Sequence, residues 1–485
     1  MKMKMKISSS LLGLALAILT TAAPPQSYER SLTSPNPNLL ESCVIAALGN
    51  DGSRVIGTNN PLYTDARIGE AIQFDELPAL IAYAETATEV QSLIGCAKKT
   101  GYRAVPRSGG HQFEGYSALT GTLVIDVAHI NYVNVSPDQQ SASVGAGIRL
   151  GALYTELWKY DNKTFVGGIC PTVGLAGLIS AAGFNMQMRN LGFSIDHVLS
   201  AKVVLASGEL VTASPEENED LFWAIRGGGG STYGIVVEFN LEILTMPRSA
   251  MVKIDWPMEN RFDVAKRFFE WAPKAPREFT SQVNVRGNSV EILGWYYGKT
   301  KAEAEELIAS SGLLSIGNAT ATIAGGCNTV NSRLFGYAVF DCVPDNEVNA
   351  IPMNVLTEPF SQYLNFSQFK LNPIPKNPDI PAANPWPRFR RIPKTFIVTK
   401  DKIIDDTTLQ GVIDRISELP AESLVWGEWH AWNVSATGKD SAFPWREEAY
   451  AVMEFQITGS DNATVTQSYY DWMAELESYL RPKLG

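Results

Sequence analysis

The segment Pro106-Arg107-Ser108-Gly109-Gly110-His111 directly follows a short β-type run, Tyr102–Val105. Glycine has no Cβ atom, so a Gly-Gly pair lets the backbone approach a ligand closely or adopt a positive φ. Arg107 and the backbone N–H groups of such a loop can hold an anion. A lone histidine beside glycines is commonly a hydrogen-bonded loop residue, but the glycine pair argues that something lies close against His111. The segment therefore predicts a ligand-binding loop.

Two more glycine-rich segments lie downstream. Gly167–Gly183 is built from small residues and carries no cation, and Arg226–Gly230 separates a predicted helix from a predicted strand. One glycine-rich loop is usually a plain turn, but three of them in one fold-sized unit indicate a large cofactor with a pyrophosphate. None of the three has the pattern Gly-x-x-x-x-Gly-Lys-Ser/Thr, and none follows a strand as Gly-x-Gly-x-x-Gly. A P-loop, a Rossmann site and a kinase-like site are therefore disfavoured.

Composition excludes several classes of protein. The chain has 485 residues, of which 45% are hydrophobic and 19% charged, a globular mix that allows two or three domains. Its formal net charge of −11 makes nucleic acid and anionic membranes poor partners, because phosphate binding needs clustered Lys and Arg. Only four histidines occur and no metal-ligand spacing is present, so no metal site is predicted.

Residues 1–23 have the pattern of a secretory signal peptide. Lys2, Lys4 and Lys6 precede an apolar run, Leu11–Leu19, and then a break of small residues. A membrane anchor is less favoured, because this run is far shorter than the ~20 residues that span a bilayer. A secreted, extracellular protein without a membrane partner is expected. Its Asn-x-Ser/Thr sequons are candidates for glycosylation: Asn134, Asn162, Asn318, Asn365, Asn433 and Asn462.

The cysteines support an oxidising compartment but cannot all pair with one another. There are five, at positions 43, 96, 170, 327 and 342, and an odd number leaves one thiol for another use. Cys170 differs from the others because it lies in the uncharged segment Gly-Gly-Ile-Cys-Pro-Thr-Val-Gly. A buried, inert thiol is the default interpretation of such a residue.

Periodicity predicts a mixture of helices and strands. Before residue 245, helices are expected near 87–100, 148–160 and 218–226, and strands near 102–105, 122–127, 142–145, 197–206, 209–213 and 235–244. After residue 249, strands are expected at 279–286, 289–297 and 450–457, and helices at 300–311, 408–419 and 465–480. The signature Thr300-x-x-Glu303 opens one of these helices. Residues 372–393 contain seven prolines and are expected to be irregular.

Four motifs then occur in a telling order: Arg-Ser-Gly-Gly-His at 107–111, Cys-Pro-Thr-Val-Gly at 170–174, Asp-Leu-Phe-Trp-Ala-Ile-Arg-Gly-Gly-Gly-Gly at 220–230 and Tyr-Gly-Ile-Val at 233–236. In sequence and spacing they resemble the berberine-bridge-enzyme-like flavin oxidoreductases. That family has the vanillyl-alcohol-oxidase, or PCMH-type, FAD-binding fold. A fifth motif, Ser-Ala-Phe-Pro-Trp-Arg at 441–446, resembles one that precedes the strand behind the family's active site.

The resemblance implies an α+β fold with two domains. It predicts a PCMH-type FAD-binding domain of two α+β subdomains at 24–247, and a substrate domain with an antiparallel sheet and flanking helices at 248–425. Residues 426–485 are expected to complete the substrate domain and to begin a C-terminal segment of the FAD domain. The strand and closing segment with which the family's chains usually end do not occur before Gly485. The chain is therefore expected to lack that segment.

The resemblance also implies how the cofactor is held. The family's matching His and Cys are both joined covalently to the flavin, which predicts bicovalent FAD through His111 and Cys170. Cys43–Cys96 is then the expected disulfide, and Cys327–Cys342 is a further candidate. The loop Gly177–Gly183 departs from the family's Gly-His-Ile-Ser-Gly-Gly-Gly and is expected to be more crowded. The other expected cofactor contacts are Arg107, Ser108, Gly109, Gly110, Val173, Gly174, Gly177, Val198, Gly234, Ile235 and Val236.

A base that removes the substrate proton is predicted on the strand after the Phe-Pro-Trp-Arg motif. Glu454 is the first candidate, and Tyr450 and Glu428 are weaker ones. Alternation predicts that Tyr450, Val452, Glu454 and Gln456 share one face of this strand. A solvated carboxylate without a catalytic role is an equally good interpretation of Glu454.

Together these features predict a secreted FAD-dependent oxidase that takes hydride from an alcohol or C–H group and passes electrons to oxygen, giving hydrogen peroxide. Two substrate classes stay open, an oligosaccharide oxidised at its anomeric carbon and a secondary metabolite. An aromatic cluster could stack either ring, although buried core is its favoured role: Trp426, Trp429, His430 and Trp432. A catalytically impaired flavoprotein that only binds a ligand is the alternative, motivated by the absent C-terminal segment.

Overall fold

A computed structural model describes residues 36–170, 172–230, 232–327, 390–419, 425–434 and 440–484. The first unit of the chain contains a four-stranded sheet in the order β1-β2-β4-β3, in which β2, β4 and β3 are parallel. Its elements are α1 (Pro37–Ala47), β1 (Val55–Gly57), α2 (Tyr63–Ala66), β2 (Leu80–Tyr83), α3 (Ala87–Thr100), β3 (Ala104–Arg107) and β4 (Leu123–Asp126).

Helix α3 shows how local sequence sets these bounds. The Thr86 side chain accepts a hydrogen bond from the backbone N–H of Glu89 and caps the start of the helix. Gly101 ends it in the left-handed conformation, with φ of 78°. Strand β3 follows and ends at Arg107, so the predicted ligand-binding loop leaves the carboxyl edge of a parallel sheet. Ligands commonly bind at that edge.

The second unit is an antiparallel sheet in the order β5-β6-β10-β8-β9 with a two-stranded ribbon, β11-β7. Its elements are β5 (Val133–Val135), β6 (Ser141–Gly145), α4 (Leu150–Trp158), β7 (Lys163–Thr164), α5 (Leu175–Ser180), α6 (Met188–Leu191), β8 (Val198–Val204), β9 (Leu210–Ala213), α7 (Glu219–Ile225), β10 (Ile235–Glu242) and β11 (Leu244–Thr245). Every second residue of β10 is buried, which is the period of a strand with one covered face.

The third unit is an antiparallel sheet of seven described strands, in the order β15-β12-β14-β13-β17-β18-β16. Its elements are β12 (Ser249–Pro257), α8 (Arg261–Trp271), β13 (Phe279–Val285), β14 (Ser289–Tyr296), α9 (Lys301–Ser310), β15 (Thr320–Cys327), β16 (Arg391–Thr399), α10 (Asp406–Glu418), β17 (Val425–Ala431), β18 (Ala449–Thr458) and α11 (Ala463–Leu484). One face carries Val283, Ile292 and Phe455, which pack with residues of α8, α10 and α11. The opposite face carries polar residues, among them Asn284, Glu291 and Glu454.

The predicted α+β class is confirmed, with two α+β units followed by an antiparallel sheet flanked by helices. The capping box of Thr300 and Glu303 is also present. One expectation differs in part, because residues 391–393 of the proline-rich stretch begin β16. Pro393 is tolerated there because β16 lies at the edge of the sheet that the described strands form. The rest of that stretch up to residue 389 lies outside the described residues.

The expected disulfide Cys43–Cys96 is confirmed and joins α1 to α3. Cys327 is also disulfide-bonded, and its expected partner Cys342 lies outside the described residues. Cys170 is exposed and belongs to no disulfide, in contrast to the buried thiol that base rates favour. In the part of the chain that the structure describes, no helix is long and apolar enough to cross a membrane. The same residues contain no group of His, Cys, Asp or Glu placed to hold a metal ion.

Candidate active site

Two glycine-rich loops touch each other backbone to backbone. A Cβ atom built on Gly109 would lie 2.2 Å from the backbone nitrogen of Gly174, and one built on Gly174 would lie 2.2 Å from the backbone nitrogen of Gly109. Real side chains do not approach so closely, so only glycine fits at both positions. The contact brings the loop that carries His111 against the loop that carries Cys170.

His111 is half-buried, and its Nε2 atom lies 2.9 Å from the hydroxyl of Thr172. The carbonyl of Thr172 accepts a hydrogen bond of 2.6 Å from Arg149, which fixes this part of the second loop. Burial, together with the positive charges of Arg149 and Arg391, lowers the pKa of His111 to about 3. The imidazole is therefore neutral at physiological pH and keeps a nitrogen lone pair for nucleophilic chemistry.

The loop of Cys170 is held by helix α4. The Tyr154 hydroxyl donates a hydrogen bond of 2.8 Å to the carbonyl of Gly168. Burial raises the pKa of Tyr154, and a negative charge on Cys170 raises it further. Cys170 itself is exposed. A fixed loop with an accessible thiol is what a covalent anchor needs.

Arg107, predicted to lie along the pyrophosphate, has a different task. Its guanidinium donates to Asp126 at 2.6 Å, to the carbonyl of Ala66 at 2.7 Å and to the hydroxyl of Tyr83 at 3.2 Å. It is 5% exposed, so it points into the parallel sheet rather than toward a ligand. Ser108 donates to the carbonyl of Ala146 at 3.0 Å. The backbone N–H groups of this loop are therefore the candidates for binding a phosphate.

Val173, Gly174 and Gly177 lie where the second loop enters helix α5. The carbonyl of Val173 accepts from Leu150 at 3.0 Å, and Gly174 is the N-cap of the helix. A Cβ atom built on Gly177 would meet no atom within 4 Å, so the space above this turn is open. The predicted crowding of the loop does not reach this position.

The remaining predicted cofactor contacts lie on the second sheet. Val198 opens β8 and pairs with Leu241, whereas Ile235 opens β10 and pairs with Val204. Val198 and the segment 234–236 therefore lie at opposite ends of one antiparallel strand pair. Gly234 has a positive φ of 156°, and a Cβ atom there would lie 2.6 Å from Val203. Close packing of the sheet is thus one reason for this glycine.

Two glycines of the third glycine-rich loop pack closely against other parts of the protein. Cβ atoms built on Gly227 and Gly228 would lie 2.7 Å from Phe443 and 2.4 Å from the carbonyl of Ala224. Phe443 belongs to the segment Ser-Ala-Phe-Pro-Trp-Arg, whose Arg446 makes a buried, two-armed ion pair with Asp196. These contacts join the second unit to the segment 441–446, which precedes β18.

Glu454, the first candidate base, lies on β18 in the polar face of the large sheet. It is half-buried, and its Oε1 atom accepts a hydrogen bond of 2.5 Å from Gln456. The two side chains therefore share a face, as alternation predicts. Across the sheet Glu454 is paired in register with Thr395 on β16 and with Glu428 on β17. The side chain of Glu428 lies outside the described residues.

Sequence reasoning missed a polar row that continues from Glu454 across the sheet. Glu428 is paired in register with Asn284, which is paired with Glu291. The Asn284 amide donates to Glu291 at 2.9 Å, and Gln282 donates to Asn284 at 3.0 Å. Burial opposes ionisation of Glu291, but hydrogen bonds from Asn284 and Arg286 lower its pKa overall. The sequence signal for this row is the polar residue at every second position of 282–286.

Tyr450, the weaker candidate base, does not share this face. Its hydroxyl donates to the carbonyl of Phe269 in α8, on the helix-covered side of the sheet. The pairing of β16 with β18 is irregular at this point. Val398 on β16 pairs with Ala451 on β18, and the next residue, Thr399, pairs with Ala449. Tyr450 is the extra residue, and such an irregularity turns a side chain to the other face. The predicted four-residue alternation is therefore wrong at this position.

The aromatic cluster near β17 is part of the core, as its favoured interpretation predicts. Trp429, His430 and Trp432 are 0%, 3% and 3% exposed. The His430 ring lies 4.1 Å from that of Phe184, which comes from the second unit. The side chain of Trp426 lies outside the described residues.

Comparisons with known proteins give the family and the fold. Residues 78–214 match the family model "FAD binding domain". The chain is 55% identical over 474 residues to FAD-linked oxidoreductase pynB of Aspergillus niger, which covers 97% of this chain and 87% of that protein. It is 54% identical over 456 residues to FAD-linked oxidoreductase pytB of Aspergillus terreus, covering 93% of this chain and 56% of that longer protein.

Two more distant relatives extend the comparison. Xylooligosaccharide oxidase of Thermothelomyces thermophilus is 35% identical over 233 residues, which is 46% of this chain and 47% of that protein. The solved structure of the wild-type BBE-like 1 protein of Physcomitrella patens superimposes with a TM-score of 0.74 at 24% identity, covering 90% of this chain and 88% of that one. This last similarity concerns the fold.

The chain therefore belongs to the berberine-bridge-enzyme-like FAD-linked oxidoreductases, and its fold is the PCMH-type FAD-binding fold. The residues present fit FAD. His111 is neutral, Cys170 is accessible, and the loops that carry them meet at Gly109 and Gly174. Two nucleophiles on touching loops suit a planar cofactor held at two edges.

Replacing Gly109 by alanine tests the contact between the loops. A Cβ atom there collides with backbone, and overpacking of this kind costs roughly 1–3 kcal/mol. We expect G109A to lower the ratio of flavin absorbance to protein absorbance to about half or less of the wild-type value, because the loop of His111 could then no longer pack against the loop of Cys170. Gly95→Ala is the control, because a Cβ atom on Gly95 meets nothing within 4 Å. Equal flavin content in both variants would contradict the contact's role.

Proposed function

We propose that the protein is a secreted oxidase with bicovalent FAD, attached through His111 and Cys170. The observation that carries the attachment is the pairing of a neutral, half-buried imidazole with an exposed thiol on two loops in backbone contact. Bound FAD supplies a two-electron acceptor. Covalent bonds at two edges of a flavin withdraw electron density and leave one face open, which favours hydride acceptance from an unactivated C–H bond.

The overall reaction balances as the oxidation of an alcohol. The substrate carbon gives up a hydride, its hydroxyl gives up a proton, and a carbonyl forms. Molecular oxygen receives the two electrons and two protons and leaves as hydrogen peroxide. The protein's part is to orient the substrate and to accept the hydroxyl proton, and we propose that Glu454 accepts it. Gln456 holds the carboxylate through the hydrogen bond to Oε1.

The substrate is proposed to be a carbohydrate or a secondary metabolite with a hydroxyl group. The polar row of Glu454, Asn284 and Glu291 supports a ligand with several hydrogen-bonding groups. The xylooligosaccharide oxidase relative supports the first class by its name. The two Aspergillus relatives, named FAD-linked oxidoreductases, leave the second class equally open.

Acid precipitation tests the two tethers. Flavin colour should stay in the pellet of the wild type and of the single variants His111→Ala and Cys170→Ala, because one covalent bond remains in each. The double variant should release all of its flavin into the supernatant. Absorbance of pellet and supernatant gives the covalent share. A double variant that keeps its colour in the pellet would show that the flavin is anchored elsewhere.

Peroxide release tests the oxidase reaction and the base together. On a panel of oligosaccharides and aromatic alcohols, wild-type protein should produce hydrogen peroxide with members of one class. Loss of a general base typically lowers turnover by roughly 10²–10⁴-fold, so E454Q should show a loss of this size with the active substrate. Tyr450→Phe removes one of the weaker candidate bases and should retain most of the turnover. A yellow protein that releases no peroxide with any compound would favour the ligand-binding alternative.

Glycan mapping tests secretion. Asn134, Asn162 and Asn318 are exposed, whereas the Asn433 amide donates to the carbonyl of Pro273 at 3.3 Å and is only half-exposed. We expect glycans on some of the first three residues and none on Asn433 when the protein is expressed in a secreting fungal host. Mass spectrometry of peptides from the culture medium measures this. Full-length protein that stays inside the cells without glycans would contradict secretion.

A further inference from the structure

One ion pair joins the substrate domain to the loop of His111. Arg391, the first residue of β16, donates from Nη2 and Nε to Oε1 of Glu70, at 2.8 Å and 3.2 Å. Beside it, the side-chain amide of Gln73 donates to the carbonyl of Arg391 at 2.7 Å and accepts from its N–H at 3.0 Å. The segment 70–73 is thus fastened to the start of β16 by both side-chain and backbone contacts.

The same segment lies directly against the loop of His111. The backbone N–H of Glu70 donates to the carbonyl of Gly110 at 2.9 Å. A Cβ atom built on Gly69 would lie 2.5 Å from that carbonyl oxygen, so the two backbones are in close contact. A displacement of Glu70 would therefore move the residue that precedes His111.

Burial makes Arg391 an indispensable partner for Glu70. Glu70 is 5% exposed, and within the described part of the chain its Oε2 atom is buried with no hydrogen-bond partner. A buried carboxylate is unfavourable unless it is paired. Without the guanidinium, Glu70 would turn toward solvent, and this change would loosen its hold on Gly110.

We propose that Glu70 and Arg391 form a positioning pair that holds His111 in place for attachment to the flavin and makes attachment depend on contact between the two domains. The inference rests on the tether at His111 proposed above. The pair touches neither the substrate nor the reacting atoms. It acts through the Gly110 carbonyl and through the charge of Arg391, which faces His111.

The charged groups that face His111 give the proposal a second, independent consequence. They are Arg149, from the N-cap of α4, and Arg391, and both lower the pKa of His111. Glu70 offsets the charge of Arg391. Removing Arg391 therefore raises the pKa of His111, and removing the charge of Glu70 lowers it further. Since attachment needs the neutral imidazole, the acid limit of attachment moves in opposite directions in the two variants.

The test uses full-length protein with Cys170→Ala, so that acid-stable flavin reports His111 alone. In this background E70Q and R391Q should bind as much total FAD as the parent does. The fraction of that FAD that is covalently attached should be about ten-fold lower, since displacing a reacting group by about 1 Å commonly slows its reaction by this factor or more. Arg391→Lys, which keeps the charge, should recover part of the share. Asp75→Asn is the matched control, because Asp75 lies in the same stretch of chain but pairs with Arg67 at the surface.

The outcomes separate this inference from the proposed function. Covalent shares within two-fold of the parent in E70Q and R391Q would overturn the pair, as would an equal loss in D75N. Attachment measured between pH 3 and pH 8 should begin to fail at a higher pH in R391Q than in the parent, whereas the acid limit in E70Q should stay at or below that of the parent. An upward shift in both variants would indicate general loosening and overturn the proposal. A parent without acid-stable flavin would refute the tether at His111 itself.

Discussion

The close approach of Gly109 and Gly174 is the constraint on which the site depends. Each backbone occupies the space that a Cβ atom on the other would need. The contact joins a loop that leaves a parallel sheet to a loop that enters helix α5, and so fixes His111 relative to Cys170. The hydrogen bonds of Arg149 and Tyr154 then hold the second loop from the side of α4. A rigid frame of this kind allows a cofactor to be held at two points.

The third unit contributes the other half of the candidate site through the asymmetry of its sheet. One face is apolar and packs under α8, α10 and α11, while the other presents Glu454 and the row that includes Asn284 and Glu291. Strand pairing, rather than proximity in sequence, assembles this row from four strands. The two domains meet where Arg391 reaches Glu70, so the sheet that carries the candidate base also supports the loop of His111.

Much of the fold could be predicted because its signals are local. The caps of α3 at Thr86 and Gly101 and the capping box of Thr300 act within one turn of helix, and glycine-rich motifs are visible wherever they occur. Glu454 could be proposed because it follows a recognisable motif on a strand. The direction of the Arg107 side chain could not be predicted, because Asp126 lies 19 residues away on a neighbouring strand.

Other features depend on register, which single-sequence reasoning does not supply. The polar row beside Glu454 needs the pairing of β13, β14, β17 and β18, which are separated by long stretches of chain. Strict alternation places Tyr450 on the face of Glu454, which is wrong because one extra residue in β18 changes the alternation. Glu70 and Arg391 are 321 positions apart in the sequence, so no local sequence pattern predicts their ion pair.

The account depends most directly on one flavin bridging the two glycine-rich loops. Tryptic digestion of wild-type protein, followed by mass spectrometry, measures this without any assumption about substrate. The account predicts a single species in which the peptide with His111 and the peptide with Cys170 are joined by one flavin. Recovery of both peptides unmodified, from folded protein that contains one FAD per chain, would contradict it.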